Sequence, residues 1–465
     1  MNIPSTISSL SEVVSDRDEY LTQLLQTNVQ IRIIEQETVA WMQELRDRAA
    51  AIVHLSSLPT TRDEEWRFTD LSSLRQIKFN HVESQHIPSL QTDNLPYIPE
   101  AANSRLVFVT GVYAPERSAT QLPEALVVTN LANLPLAYRS QVQNYLGKAE
   151  GSAEVFTALN TAGLTDVAVV WVTKNLQVET PIHLLFISTG GKTSTISQPR
   201  CLVVAETGSS VTLIEEYTNR IDWGLNPKEA ESAEKEEAVY FTNAVTEIWV
   251  GENASINHTR IECESQAAFH IGKTAITQAR DSRYTCNAIT LGAKLSRHNL
   301  EIYQTGEQTE TTLNGLTTIA NRQLADTHSA IVLNHPHSTT RQLHKCIAAD
   351  RAHTVFNGRV FVAKAAQLTD AGQLNRNLLL SPKARVDTKP QLEIIADNVK
   401  CTHGATVSQL EDEEIFYLQS RGINSTDAQN LLVNAFAAEI INTIPVPSLQ
   451  KTLTKTINHQ TSTLT

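Results

Sequence analysis

The sequence predicts a mainly β protein with helical segments at both ends, and three observations carry that reading. Apolar residues recur every three to four positions near the N-terminus, alternate in twos from about residue 105, and return to helical spacing near residue 411. Roughly 300 residues of short, β-branched segments follow one another with almost no helical pattern between them, which excludes a doubly wound α/β sheet and leaves a barrel, a set of sandwiches or a β-solenoid. Small-residue turns at Gly208, Gly251, Gly272, Gly292 and Gly315 precede apolar alternations at offsets of 43, 21, 20 and 23. A period near 20, with one double step, suits one coil of a three-sided β-helix and favours the solenoid; irregular hairpins remain the competing reading.

Taken in order, residues 10–55 place Leu21, Leu24, Leu25, Val29, Ile34, Val39, Met42 and Leu45 at helical spacing, so several amphipathic helices open the chain. Residues 80–104, with Pro88, Pro96 and Pro99, read as a linker, which makes residues 1–104 an N-terminal helical domain and linker. Strands are predicted over 106–112, 126–129, 166–172, 183–187, 201–205, 211–214, 244–250, 256–261, 268–276, 284–291, 300–303, 311–319, 328–333, 355–362 and 391–395. They fill a β core over 105–410, and the acidic run 228–237 reads as a solvated insertion between turns. Residues 411–414 put acids in the first turn of a short helix, and Gly422 suits its end. Asn424 or Ser425 can cap a second helix, with Ala428, Leu431, Leu432, Ala435, Phe436, Ala438, Ile440 and Ile441 as apolar positions and Pro445 as its stop. After it, residues 451–465 read as a polar, frayed tail, closing a C-terminal helical domain over 411–465.

Composition removes several function classes. The 465 residues carry 38 Lys and Arg against 50 Asp and Glu, a net charge of −12, which opposes a nucleic-acid role built on neutralising phosphates. Five cysteines without a CxxC pair suggest reduced thiols rather than a disulfide scaffold or a zinc finger. With no basic-then-apolar leader and no apolar run of membrane-spanning length, a cytoplasmic chain that does not enter a membrane is expected. Both Gly-Lys-Thr triplets, at 191–193 and 272–274, lack the glycine five residues upstream that a phosphate loop needs, those positions being Phe186 and Ala267. They read as turns, and no ATP binding by this chain is expected. No GxGxxG, GxSxG or HExxH pattern occurs either.

Two groups of residues could carry chemistry. His328, His335, His337, His344, Cys346 and His353 crowd one region, and a metal-dependent enzyme would draw on them; the Asn-His-Pro-His order at 334–337 reads first as a turn. Cys401 and His403 are the sharper pair. In an extended strand they leave one face two residues apart, a soft thiolate beside an imidazole, suited to iron, zinc or Cu(I). A buried cysteine beside a satisfied histidine is the structural alternative. Two ligands do not complete a metal site, so this one implies groups from another chain.

Residues 389–406, Lys-Pro-Gln-Leu-Glu-Ile-Ile-Ala-Asp-Asn-Val-Lys-Cys-Thr-His-Gly-Ala-Thr, with 415–423 after them, resemble the C-terminal signature of the SufB/SufD family of the SUF iron–sulfur cluster assembly scaffold. Residues 65–71, Glu-Trp-Arg-Phe-Thr-Asp-Leu, resemble its N-terminal segment, so the likeness spans nearly the whole chain. The SufB branch has a sulfur-accepting cysteine before a Pro-Lys-Ala turn and a His-Glu pair later. Here Asn375 stands at the first position, before Pro382-Lys383-Ala384, and His403-Gly404 at the second, which matches the SufD branch. The resemblance implies a right-handed parallel β-helix flanked by N-terminal and C-terminal helical domains, in a scaffold subunit that is not an enzyme. It implies pairing with SufB through the ends of the β-helices and docking of the SufC ATPase on the C-terminal helices, for which Phe416, Leu431, Leu432, Phe436 and Ile440 are candidates. Cys401 and His403 would then hold transient iron or a nascent cluster at the SufB interface. A homodimer of the isolated chain, and a purely structural partner without metal ligands, stay open. Trp66 and Arg67 read as packing residues.

Overall fold

The computed structural model describes residues 18–25, 36–81, 95–123, 125–188, 193–219 and 239–462. Its body is a β-solenoid of about eight turns made of two parallel sheets whose strands alternate along the chain. One sheet runs through Arg200–Ala205, Tyr240–Val250, Phe269–Gln278, Leu295–Gln304, Leu324–Leu333 and His353–Val362 to Arg385–Ile394. The other runs through Ile182–Ile187, Ser210–Thr218, Ser255–Cys263, Arg283–Thr290, Glu310–Ile319, Thr339–Ala348 and Asp370–Leu379 to Lys400–Ser408.

Ser255, Arg283, Glu310, Thr339, Asp370 and Lys400 hold one register position on successive turns, so a coil takes 27 to 31 residues. The period near 20 and the three-sided coil are thereby corrected. Gly272 and Gly315 lie inside strands, and so does the Gly-Lys-Thr triplet at 272–274, which is not a turn. These glycines supply space. A Cβ at Gly315 would sit 1.9 Å from His344 Nδ1, and one at Gly272 would sit 2.5 Å from Arg260 Nη2, so each makes room for a bulky polar neighbour in the bore.

Alternation sends every second residue inward. Ile248, Ile276, Ile302, Ile331 and Val360 stack in register as one apolar ladder along the bore. Each such buried side chain stabilises the coil by about 1.5–3 kcal/mol. Thr339–Ala348, Asp370–Leu379 and Lys400–Ser408 have no counterpart among the predicted strands. Their inward positions include Gln342, His344, Gln373, Asn375, Asn377 and His403, so the apolar alternation that marks a strand is missing. Two helices, Leu136–Val142 and Val155–Ala162, also break into the early coils, where almost no helix is expected.

The outer face of the second sheet is covered by the last two helices, Ser425–Ile441 and Pro447–Ser462. Val433, Ala437, Ile440, Leu449, Leu453 and Ile457 join Ile214, Ile261, Ile289, Leu316 and Ile347 in one core. Residues 451–462 are therefore helix rather than a frayed tail, their apolar residues spaced by four. Asn424 caps the first of the two, its Oδ1 accepting the Asp427 N–H at 2.8 Å. Part of the expected linker is packed as well: Ile98 and Ala101 enter the same core, and Glu100 accepts the Ser448 N–H at 3.0 Å. The outer face of the first sheet carries Glu19–Leu25 and Gln36–His54 with Val155–Ala162. Residues 10–17 and 26–35, the acidic run 228–237 and the Gly191-Lys192 pair lie outside the described residues. No helix among the described residues is long and apolar enough to cross a membrane.

Candidate metal-binding end of the solenoid

Both sheets end on strands with a free edge. Among the described residues Arg385–Ile394 pairs only with His353–Val362, and Lys400–Ser408 pairs only with Asp370–Leu379. A parallel edge presents unpaired N–H and C=O groups that can accept another chain. Ile394, Ile395, Val407 and Leu368 are exposed around this end, with Ile395 55% and Val407 52% accessible.

Cys401 and His403 stand in that last coil. Cys401 is in register with Ala371, and His403 with Gln373; Ala371 and Gln373 are buried inward residues, so the pair continues the inward rows to the open end. The shared face that the sequence reading requires is therefore realised. Cys401 is half-buried against the bore, among Leu392 and Val399, while His403 is exposed. Burial, with the Asp370 charge adding to it, pushes the Cys401 thiol above its ordinary value, and the Ala371 backbone opposes this in part. In the uncomplexed chain Cys401 is a thiol whose proton an arriving metal must displace. The other four cysteines, Cys201, Cys263, Cys286 and Cys346, are buried. Among the described residues no group of three or more His, Cys, Asp or Glu side chains converges as a metal site.

Beneath the last coil the bore is polar. Gln373 Nε2 donates to Gln342 Oε1 at 2.8 Å, and Gln342 Nε2 donates to Ser329 Oγ at 2.7 Å. Asn375 is fully buried, donates to the His344 carbonyl at 3.0 Å and accepts from Asn377 at 2.6 Å. An amide so engaged has no nucleophile with which to accept sulfur. Deeper still, His258 is held between Glu215, at 3.2 Å, and the Tyr284 hydroxyl, at 2.9 Å. Burial disfavours its charge, but hydrogen bonds and the Glu215 carboxylate raise it to about 9. Nearby, burial and the Arg260 charge drop His270 to about 3, and burial raises Glu262 and Glu264 to about 7. His258, Arg260 and Glu262 alternate along one strand, Ser255–Cys263, whereas Glu215, His270 and Tyr284 reach them from other strands, and nothing in the sequence spacing marks those as neighbours.

The histidines of residues 328–353 do not converge. His328 points outward between Glu65, at 3.1 Å, and Asp326, at 2.9 Å. His344 is buried in the bore and stacks on Phe356, and His353 pairs with Asp387 at 2.7 Å. His335 and His337 fall in the turn after Leu324–Leu333. Trp66 is buried under the Arg297 guanidinium, 3.9 Å from its ring centroid, and belongs to a clasp between the N-terminal segment and the solenoid; Arg67 is exposed. Of the residues expected on the C-terminal docking face, Phe416 is 71% and Leu431 50% accessible. Leu432 is partly exposed, and Phe436 is half-buried beneath Lys345, whose Nζ lies 4.2 Å from its ring. Ile440 is fully buried against the solenoid and is not available to a partner, which corrects its place in that set. A surface groove of about 640 Å³ lined by Lys294, Arg322, Asp350 and Arg351 contains neither Cys401 nor His403.

Residues 15–184 match the family model described as the SufBD protein N-terminal region, and residues 186–436 match the one described as SUF system FeS cluster assembly, SufBD core domain. An iron-sulfur cluster assembly SufBD family protein of Synechocystis sp. is 49% identical over 90% of each chain. The iron-sulfur cluster assembly protein SufD of Escherichia coli is 34% identical, covering 83% of this chain and 85% of its own. The chloroplastic protein ABCI7 of Arabidopsis thaliana is also 34% identical, over 95% of this chain and 90% of its own. The two matched regions cover the solenoid and the segments leading into it, and this chain therefore belongs to the SufBD family of the SUF iron–sulfur cluster assembly system, as a SufD-like member.

Proposed function

We propose that this chain is a non-catalytic scaffold subunit that pairs with a SufB-type subunit through the open end of its solenoid and contributes Cys401 and His403 to binding of iron or a nascent cluster there. The observation that carries the reading is the terminal strand Lys400–Ser408, whose outer edge is unpaired among the described residues and whose inward face sets a half-buried thiol and an exposed imidazole two residues apart. Two ligands leave the coordination of iron incomplete, so the remaining groups belong to the partner. A thiolate holds iron firmly and an imidazole more labilely, which suits a site that must later release what it builds. Loading requires Cys401 to lose its proton and His403 to be neutral, so it weakens in acid. The ATP-binding subunit, of SufC type, docks on the outermost C-terminal helices, where Phe416, Tyr417 and Leu431 are exposed.

Co-expression with SufB and SufC, anaerobic purification and a count of iron and acid-labile sulfide per complex test this for wild type, Cys401→Ala and His403→Ala. Complexes should form in all three while the two variants lose iron. Normal loading in both variants would leave the chain a purely structural partner.

A further inference from the structure

Resting on the reading of His403 as a ligand, we propose that Gln373 is its positioning residue. With the His403 ring turned inward onto it, the Gln373 side-chain carbonyl, which is unpaired in this structure, would accept one imidazole N–H, fixing the tautomer and reserving the other ring nitrogen for iron. Metal-binding histidines generally need such an acceptor behind them, since the hydrogen bond made by one nitrogen decides which form the other takes.

The geometry singles out Gln373. It lies directly beneath His403 in the register of the last two strands of its sheet, and both residues belong to the inward row. The Gln373 side chain is 4% exposed, and its amide is oriented by a file of hydrogen bonds: Nε2 donates to Gln342 Oε1 at 2.8 Å, and Gln342 Nε2 donates to Ser329 Oγ at 2.7 Å. Gly358, facing it, leaves only enough room for this arrangement; a Cβ there would sit 2.2 Å from Gln373 Nε2. With its N–H₂ end so engaged, the amide has its oxygen left over, and Gln373 Oε1 is buried without a hydrogen-bond partner among the described residues. A buried acceptor left unpaired costs about 1–3 kcal/mol, which a donor from the next coil would recover. The inward residues of that coil are Cys401, His403, Ala405 and Val407, and only His403 brings a strong donor. Across the bore the Thr388 hydroxyl is also buried and unpaired, and it is the competing donor.

The tautomer can be read on iron-free protein. Full-length chain labelled with ¹⁵N-histidine is examined at pH 8 by long-range ¹H–¹⁵N correlation, with the His403 signals assigned by their loss in His403→Gln. One neutral tautomer should dominate in wild type. Gln373→Leu should lower the tautomer ratio by about two- to tenfold, the equivalent of one ordinary net hydrogen bond. Gln373→Glu, which keeps an oxygen acceptor in either protonation state, should retain the wild-type tautomer, and Thr388→Val should leave it unchanged. Gln342→Leu frees the Gln373 amide without removing it and should give a smaller drop, so the idea stays testable if Gln373→Leu folds poorly. An unchanged ratio in both Gln373→Leu and Gln342→Leu, or an equal loss in Thr388→Val, overturns the assignment. No metal is needed for this readout, so it and the iron count per complex fail independently.

Discussion

Replacing Arg297 by Leu should release the N-terminal segment from the solenoid, and the size of the effect follows from what Arg297 touches. Its Nη1 lies 2.5 Å from Asp326 Oδ2 and donates to the Glu65 carbonyl at 2.8 Å, while the guanidinium covers the Trp66 ring. Arg297 and Asp326 are each 2% exposed. Burial favours the neutral acid, yet the Arg297 and His328 charges hold the Asp326 carboxyl well below its ordinary range. Removing Arg297 strands that carboxylate in the interior, at a cost of about 3–5 kcal/mol. Loss of the contact with Trp66 adds on the order of 1–2 kcal/mol. Native-state hydrogen exchange over residues 64–71 and 324–329 is the assay, because it reads local opening where a single global unfolding step cannot be assumed. Together these come to about 4–7 kcal/mol, which corresponds to exchange faster by about three to five orders of magnitude wherever opening is global or local to this clasp. Asp326→Leu alone should behave similarly, and the Arg297→Leu, Asp326→Leu double variant should recover most of the loss, since no buried charge is left uncompensated. Single variants within 1 kcal/mol of wild type, or a double variant as poor as the sum of the singles, would refute the reasoning.

The same clasp should respond to pH, and helix packing should separate from docking. Burial lowers the pKa of His328, but Asp326 outweighs it and raises His328 above its ordinary value. A raised folded pKa means that protonated His328 stabilises the fold below the unfolded value and that this contribution is lost as pH rises through the folded one. Exchange over residues 64–71, corrected for its intrinsic pH dependence, should therefore quicken as pH rises above the ordinary histidine range, and a flat corrected profile in wild type would count against the pair. In the C-terminal helices, Ile440→Ala and Leu453→Ala should each cost about 2–5 kcal/mol, read by native-state hydrogen exchange over residues 425–460. Phe416→Ala, at an exposed position, should stay within about 0.5 kcal/mol. A neutral Ile440→Ala would mean that these helices do not pack on the solenoid as described.

The general plan of the fold was legible over the described residues because periodicity is a local property. The switch from helical spacing to alternation and back reflects which face each element buries, and the isoleucine and valine ladder at 248, 276, 302, 331 and 360 advertises five strands of the first sheet. Cys401 and His403 were legible for the same reason, since two residues in one strand share a face whatever surrounds them. Ile440 was misread because an apolar helical stripe looks the same whether it meets its own solenoid or a partner. The coil length, the polar strands near residues 342, 375 and 403 and the burial of the last helix needed the tertiary structure, because the inward polar residues satisfy one another between coils about 30 residues apart. The file from Ser329 through Gln342 to Gln373 exists only once parallel register stacks those coils, and so does the pairing of Arg297 with Trp66 across more than 200 residues. Local alternation determines that a segment is a strand, whereas the hydrogen bonds and charges that decide what its buried side chains do are set by neighbours remote in sequence.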